Sequence, residues 1–377
     1  MVRFYTLASL CFGLAGGAPA FGLLGKQAGS LRYFRLLGLA GLLAVNLTAA
    51  VPAELITVQA ELRHQTLQGF GASIIGWQRR METFFTDPTF ANQVANELGM
   101  SVFRVQMWDG MLPKEVMDWR EIDRRMFDWN IPGARRGLIN VQWARLMVAA
   151  NPEVKIIGSV WSAPGWMKVS GKRAGSREGF LLNRQRDYDH DNRLRADRHE
   201  HFAKWIVEFC RYMEEQGTPF YAVSLQNEPL FTEPYESTLF EPAEYARLMQ
   251  VTGEMFEREG VRRPLFFGPE DMTRATYNDQ TRHRPYIDAL LQPSTARFFD
   301  VFATHGYSDG VNPDDRNDAA AYWRSIKRFG RPYWITEGGT GEHQWPAPVT
   351  SGIAPRLHTA LAEANVSLFT AWQVNGQ

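Results

Sequence analysis

The chain has 377 residues with 41 basic and 41 acidic side chains, so no net field favours nucleic acid or an anionic surface as a partner. Charged residues make up 22% and apolar residues 45%, the balance of a globular enzyme with a large core. With no repeat and no low-complexity linker, one large domain is expected.

Residues 1–53 differ in character from the rest of the chain. Met1 to Gly25 is apolar and almost uncharged; Lys26, Arg32 and Arg35 then precede the apolar run Leu36–Val45 and the small residues of Thr48–Ala53. A basic, an apolar and a small-residue zone in that order make a secretory signal, with cleavage near Ala50 or Ala53. A secreted or periplasmic (cell-envelope) protein is therefore expected. The upstream apolar stretch reads as a misplaced start or as a membrane anchor of marginal length.

Beyond the leader, Glu54–Leu62 alternates with period two and predicts a half-exposed strand. Gln68–Ser73, with its glycines, predicts a first barrel strand. Asp87-Pro88 is an N-cap followed by proline, opening a helix that ends near Leu98-Gly99. Strands follow over Ser101–Met107 and Val154–Val160, separated by a helix over Leu138–Ala150. A polar segment up to about Arg198 reads as a long surface loop. The helix His199–Gln216 carries Phe202, Ile206, Phe209 and Met213 on one face, together with Cys210. That cysteine is expected to pack in the core, and neither a disulfide nor a nucleophile is implied; Cys11 lies in the leader.

The strand that begins at Phe220 runs into Gln226-Asn227-Glu228-Pro229, and proline is expected to end it with Glu228 at its lip. Helix Pro242–Gly260 precedes a strand over Pro264–Gly268. A strand over Phe298–Thr304 leads to His305-Gly306-Tyr307. Helix Ala319–Phe329 leads to strand Pro332–Thr336, which runs directly into Glu337. A helix near Ile353–Ala364 and a strand over Val366–Trp372 complete the alternation. About eight strands alternating with seven helices predict an α/β fold, a (β/α)8 TIM barrel over residues 64–377. A doubly wound open sheet competes, but Gly71–Gly76 is a poor phosphate loop.

Two glutamates at strand ends suggest a pair of carboxylates in one pocket. Trp77, Trp108, Trp161, Trp166, Trp345 and Trp372 all fall at or just beyond predicted strand ends, where indole faces suit the C–H faces of sugar rings. Carboxylates with aromatic platforms point to glycoside hydrolysis. That chemistry needs a proton donor for the leaving oxygen, and a carboxylate nucleophile or an activated water for the sugar carbon. His199-Glu200-His201 places its histidines on different helix faces, so no metal is expected there, and no cofactor is implied.

Four motifs taken together, Gln68–Ser73, Trp161–Lys168, Gln226–Pro229 and Thr336–Gly339, resemble glycoside hydrolase family 30, glucosylceramidase- or endo-β-glycanase-like barrels, from about Glu54 onward. The resemblance implies Glu228 as acid/base after the fourth strand and Glu337 as nucleophile after the seventh. It implies Asn227 on the sugar 2-hydroxyl and Arg104 beneath Glu337, keeping it ionised. It further implies Tyr307 bonded to the nucleophile, with His305 at the sugar subsite and Trp372 as its floor; Trp108 and Trp161 are expected at the subsite from their places at strand ends. Glu228 must hold a proton near neutral pH, so burial and the charge of Glu337 are expected to raise its pKa. The partner is a β-linked glycan or glycolipid, and a monomer is expected.

The family also carries a β-rich side domain. Against it, residues 54–63 read as one side-domain strand, and the barrel reads as ending after strand eight without its last helix. That leaves two expectations: a fragment, or a barrel open beside its first strand with Trp372 poorly supported. A carbohydrate-binding barrel without turnover is the rival function. A phosphate-binding barrel using Gly338–Gly341, or a metal-dependent hydrolase barrel, fits the strand ends less well.

Overall fold

The computed structural model describes residues 57–76, 82–177, 189–272, 283–307, 317–339, 344–350 and 352–374. The leader, Trp77, and Thr340 and Gly341 of the glycine-rich run lie outside them. The chain divides into two units, Met1–Leu62 and Arg63–Gln377. In the first, the described residues 57–62 are exposed and make a turn closed by Leu62 N donating to the Gln59 carbonyl (3.2 Å). The strand expected over Glu54–Leu62 is not formed in that part. Its alternation has no apolar surface to cover, and one half-apolar run of residues cannot hold strand geometry by itself.

The second unit is a closed barrel of eight parallel strands in sequence order. They are β1 (Gly69–Ile74), β2 (Val102–Met107), β3 (Lys155–Val160), β4 (Phe220–Ser224), β5 (Leu265–Met272), β6 (Val301–Gly306), β7 (Tyr333–Gly338) and β8 (Leu368–Ala371). The helices between them are α1 (Pro88–Asn92), α2 (Ala134–Ala150), α3 (His199–Glu215), α4 (Pro242–Arg258), α5 (His283–Leu290), α6 (Asn317–Ile326) and α7 (Ile353–Ala362). Asp87 caps α1 by accepting from Thr89 N (2.8 Å), and a π turn over Gln93–Glu97 carries it to Gly99 in the left-handed region.

Closure settles the expectation of an open edge. β1 pairs with β2 on one side and with β8 on the other, from Gly69↔Leu368 to Ala72↔Ala371. Past β8, Trp372 N donates to the Gly338 carbonyl (2.6 Å) and Val374 N to that of Ser73 (3.2 Å), so Trp372 is anchored rather than loose.

Alternation divides each strand between two environments. Val102, Ile157, Ala222, Phe267, Val301, Ala303, Trp334 and Leu368 form a compact apolar core of their own inside the barrel. Their neighbours Phe103, Ile156, Val223, Phe302 and Ile335 join the larger core under the helices, where Cys210 is also buried. One residue pair further along the inner face the character changes to Ser73, Arg104, Ser159, Ser224 and His305, all buried. The barrel is therefore apolar at one end and polar at the other.

Gly71 shows how tightly β1 and β2 approach. A Cβ there would lie 1.6 Å from the Val102 carbonyl oxygen, which is main chain in a paired strand and cannot move aside. Gly71→Ala is expected to destabilise the barrel by at least about 1–3 kcal/mol, the cost of overpacking a core. A denaturant titration of the two proteins measures it.

Candidate active site

At the polar end of the barrel a cavity of about 630 Å³ opens, with Trp161, Asn227, Glu228, Tyr307, Glu337 and Trp372 on its wall. One carboxylate oxygen of Glu228, one of Glu337 and a ring nitrogen of His305 lie within 4.8 Å of one another. Sequence reasoning thus names two carboxylates that the fold does bring together.

β-bulges aim these groups. Strict alternation from the inward Trp334 would turn Glu337 outward, toward the helices. The register between β6 and β7 slips by one residue, so His305 pairs with Glu337 instead of Thr336, and Glu337 faces inward. β5 repeats the device. Pro269 pairs with Ala303 and Asp271 with Thr304, which leaves Glu270 as the extra residue, at φ 62°. Glu228 also has a left-handed backbone, φ 46°, and donates its N–H to the Glu270 carbonyl (3.0 Å). β4 itself stops at Ser224, four residues before Glu228, so Pro229 does not end the strand. Leu225–Asn227 bridge the gap, with Asn227 N donating to the Val160 carbonyl (2.6 Å).

Arg104 occupies the middle. It is fully buried, donating from Nε to Glu270 (2.7 Å) and Ser159 Oγ (3.0 Å), from Nη1 to Glu337 Oε2 (2.7 Å) and from Nη2 to Asn227 Oδ1 (2.6 Å). Its guanidinium also lies 4.4 Å from the Trp161 ring centroid. With its Oδ1 committed to Arg104, Asn227 has its NH2 group left for the cavity. Tyr307 donates its hydroxyl to Glu337 Oε1. Burial and the charge of Glu337 hold that phenol well above its ordinary pKa, so it stays a donor.

His305 lies behind the wall, not on it. It is fully buried, and Nδ1 is 2.7 Å from Glu228 Oε1. Nε2 stands 3.6 Å from Glu337 and 3.9 Å from Glu270, too far for hydrogen bonds but close enough for charge. Burial alone would strip its proton, yet the Glu337 charge and the Glu228 hydrogen bond retain it, raising the pKa to about 10. The ring is therefore an imidazolium that donates to Glu228. Although Glu228, His305 and Glu337 could converge on one cation, a protonated ring offers no lone pair, and Arg104 already supplies positive charge there.

This reverses one expectation. Burial pushes Glu228 upward, but the hydrogen bond and charge of His305 outweigh it and leave the carboxyl below its ordinary range. Glu337 moves the other way: burial raises it, and His305 and Arg104 only partly offset the rise. Arg104 thus restrains the cost of charging Glu337 without removing it.

Of the six tryptophans, Trp161 and Trp372 line the cavity, 6.3 Å apart between ring centroids. Trp108, expected at a subsite, is 1% exposed and stacks on Trp129. Its outer face carries the Arg173 guanidinium (4.8 Å), which bonds Asp109 and Glu236. Trp166 donates to the Leu112 carbonyl (3.0 Å), and Trp345 is 78% exposed. His199 and His201 each face a backbone carbonyl (3.1 Å). The segment expected as surface loop after Met167 is partly interior, with Lys168 and Asn192 buried.

Glu270 and Glu233 were not anticipated at the site. Glu270 sits in a stretch, Gly268–Asp271, that reads as a turn. Glu233 lies on the cavity wall, 3% exposed; its only sequence sign is Thr232-Glu233-Pro234, five residues after Asn227-Glu228-Pro229. Together the groups bring two carboxyls shifted in opposite directions to one cavity, with Trp161 and Trp372 on its wall.

Residues 114–247 match the model of the glycosyl hydrolase family 30 TIM-barrel domain. The chain is 32% identical over 111 residues to the endo-1,6-beta-D-glucanase neg1 of Aspergillus fumigatus, covering 28% of this chain and 21% of that protein. It is 23% identical over 326 residues to the lysosomal acid glucosylceramidase of Mus musculus, covering 78% and 56%. It thus spans from a fifth to a little over half of these relatives' length. Among solved structures, the family 30 subfamily 8 xylanase Xyn30A of Clostridium acetobutylicum superposes with a TM-score of 0.59 at 19% identity, covering 84% of this chain and 66% of that one. At that identity the likeness speaks for the shared barrel.

Glu270 is buried, and the Arg104 charge holds it down, to about 2 from 4.5, against the upward push of burial. Glu270→Gln leaves the guanidinium short of a carboxylate and is expected to cost about 3–5 kcal/mol at neutral pH, as when one partner of a buried pair is removed. A depressed carboxyl stabilises fully above 4.5 and loses that contribution as pH falls through about 2. The gap between wild type and variant should therefore narrow below pH 4.5, as read by denaturant midpoints across a pH series.

Proposed function

We propose that this chain, a relative of the glycosyl hydrolase family 30 barrels, is a retaining glycoside hydrolase with Glu337 as nucleophile and Glu228 as acid/base. The observation that carries the reading is the approach of the two carboxylates, within 4.8 Å between oxygens across the cavity. Retaining enzymes hold their carboxyls about 5–5.5 Å apart, and inverting enzymes about 6.5–9.5 Å, to admit a water. Trp161 and Trp372 offer stacking faces for a sugar ring beside that pair. Glu337 attacks the anomeric carbon while Tyr307 and Arg104 hold its two oxygens in line. Asn227, its carbonyl fixed by Arg104, presents its amide N–H to the neighbouring sugar hydroxyl. Once the glycosyl ester forms, the charge of Glu337 is gone and Glu228 receives the proton of the attacking water.

The substrate class is a β-linked glycan or glycolipid. The relatives are named for β-1,6-glucan, glucosylceramide and xylan, so a hydrolysis panel over these three is the direct route to the sugar. The signal-like order of residues 26–53 supports export, and the mass of the mature N-terminus recovered from a secreting host tests it.

Glu337→Ala is expected to abolish turnover, and sodium azide to restore it with formation of the inverted glycosyl azide. Glu228→Ala should lose about 10²–10⁴-fold on substrates whose leaving group needs a proton. A Glu337→Ala protein with near-normal turnover would reject the mechanism. Calorimetric binding of a glycan by a wild-type protein that does not hydrolyse it would favour a carbohydrate-binding barrel instead.

A further inference from the structure

The hydrogen bond from His305 raises a difficulty that rests on the reading above: an acid/base that keeps its own carboxyl ionised has no proton to give. His305, 2.7 Å away, holds its own proton with a pKa of about 10; a group on the cavity wall that can supply one is Glu233. Its carboxyl is buried on the cavity wall and hydrogen-bonds Tyr235 and Glu228. Its Oε2 meets no donor, and a buried oxygen left that way is costly unless it carries the proton itself. Two carboxyls can share a hydrogen bond only with a proton between them, because both are acceptors when ionised. The backbone fixes this meeting. Glu233 N donates to Ser237 Oγ (3.0 Å), which Asn192 Nδ2 also reaches (2.9 Å), and Pro234 confines Glu233 to extended geometry.

We propose that Glu233 is the proton-sharing partner of Glu228, so that the acid/base of this enzyme is a carboxyl dyad holding one proton. Burial and the Glu228 charge push Glu233 well above the ordinary carboxyl range, while His305 pulls Glu228 down, so the resting proton lies on Glu233. The charged and titratable surroundings are consistent with this. Tyr235 hydrogen-bonds Glu233, Glu337 adds its charge from the same cavity, and Glu236 is held by Arg173. Arg104, His305, Glu270 and Asp271 lie on the Glu228 side, and Arg136 is the exposed cation on the cavity rim.

The protons and bonds balance. In the first half, the bond from Glu337 to the anomeric carbon forms as the glycosidic bond breaks. The leaving oxygen takes a proton from Glu228, which takes the one on Glu233, and both end as carboxylates. The added charge on the dyad equals the charge that Glu337 loses on esterification. In the second half, water attacks the carbon, the bond to Glu337 breaks, and the water's proton returns to the dyad. Such a proton titrates with the pair, not with either residue.

Glu233→Gln keeps size and a donor but carries no proton to transfer. On phenyl β-D-glucoside, kcat/KM near neutral pH should fall by about 10²-fold and the alkaline limb of the profile should move to lower pH. On 2,4-dinitrophenyl β-D-glucoside, whose leaving group needs no proton, it should stay within about threefold. Glu233→Asp, which retains an acid, should recover part of the loss. An equal loss on both glucosides with an unmoved profile would show a structural role and overturn the proposal. Infrared spectra give an arm independent of turnover. Wild type near neutral pH should show a protonated-carboxyl band that the Glu233→Gln difference spectrum removes, and its absence from wild type overturns the dyad. Should neither glucoside nor any of the three panel substrates turn over, or Glu337→Ala stay active, the hydrolase reading fails while the infrared arm still decides this one.

Discussion

One buried guanidinium organises the polar end of this barrel. Arg104 has no exposure to water, so its charge is tolerable only because two carboxylates, an amide oxygen and the hydroxyls of Ser159 and, at 3.4 Å, Ser73 take its N–H groups and an indole covers its face. The four hydrogen-bonding groups Ser159, Asn227, Glu270 and Glu337 come from β3, the segment after β4, β5 and β7. A planar fork of donors in fixed directions therefore sets where Glu337, Asn227, Glu270 and Ser159 must stand relative to one another. A lysine of the same charge could not impose that geometry, because its donors rotate on a flexible stem.

The backbone satisfies Arg104 through irregularity. Regular alternation would send Glu337 and Glu270 outward, into the apolar layer beneath the helices, where neither carboxylate would find a cation. A one-residue slip at Thr336 and another at Glu270 turn both inward. Two glutamates then take left-handed backbones, and the N–H of one bonds the carbonyl of the other. For a non-glycine residue such a conformation costs free energy and persists only where its surroundings over-determine it. Here the surroundings are the ion pairs themselves, so the local strain and the buried charges stabilise one another.

The same irregularity sets the limit of what local sequence can reveal. Strands β2, β3 and β7 were legible to within a residue or two, because buried β-branched and aromatic runs admit few other structures. Glu228 and Glu337 were legible because each comes after such a run. β5 was cut short at Gly268, since Pro269-Glu270-Asp271 carries every local mark of a turn; only a bulge between two flanking strands keeps it in the sheet. Trp108 misled for a related reason. A tryptophan just past a strand end is as well suited to the layer behind the wall as to the wall, and glycines at 110 and 137 make the room that draws it inward. His305 was placed correctly along the chain but assigned to the wrong side of Glu228, a matter of register that local sequence does not encode.

The charge count at the site then explains why the carboxyls separate in strength. Arg104 and His305 bring two positive charges to a space holding Glu228, Glu270 and Glu337. Glu270 accepts from Arg104 and Ser159 through Oε1 and is held down to about 2, Glu228 is lowered by the imidazolium, and burial leaves Glu337 raised although Arg104 and Tyr307 bond its two oxygens. Glu337 therefore keeps a raised pKa, and its charge is the least stabilised of the three. Removing that charge would relieve the cost of burial and also a repulsion between Glu337 and Glu228. On the roles proposed above, the carboxyl lowered by the imidazolium stands at the proton-transfer position and the one with the raised pKa at the bond-forming position, so esterification of Glu337 would remove the least stabilised charge of the three.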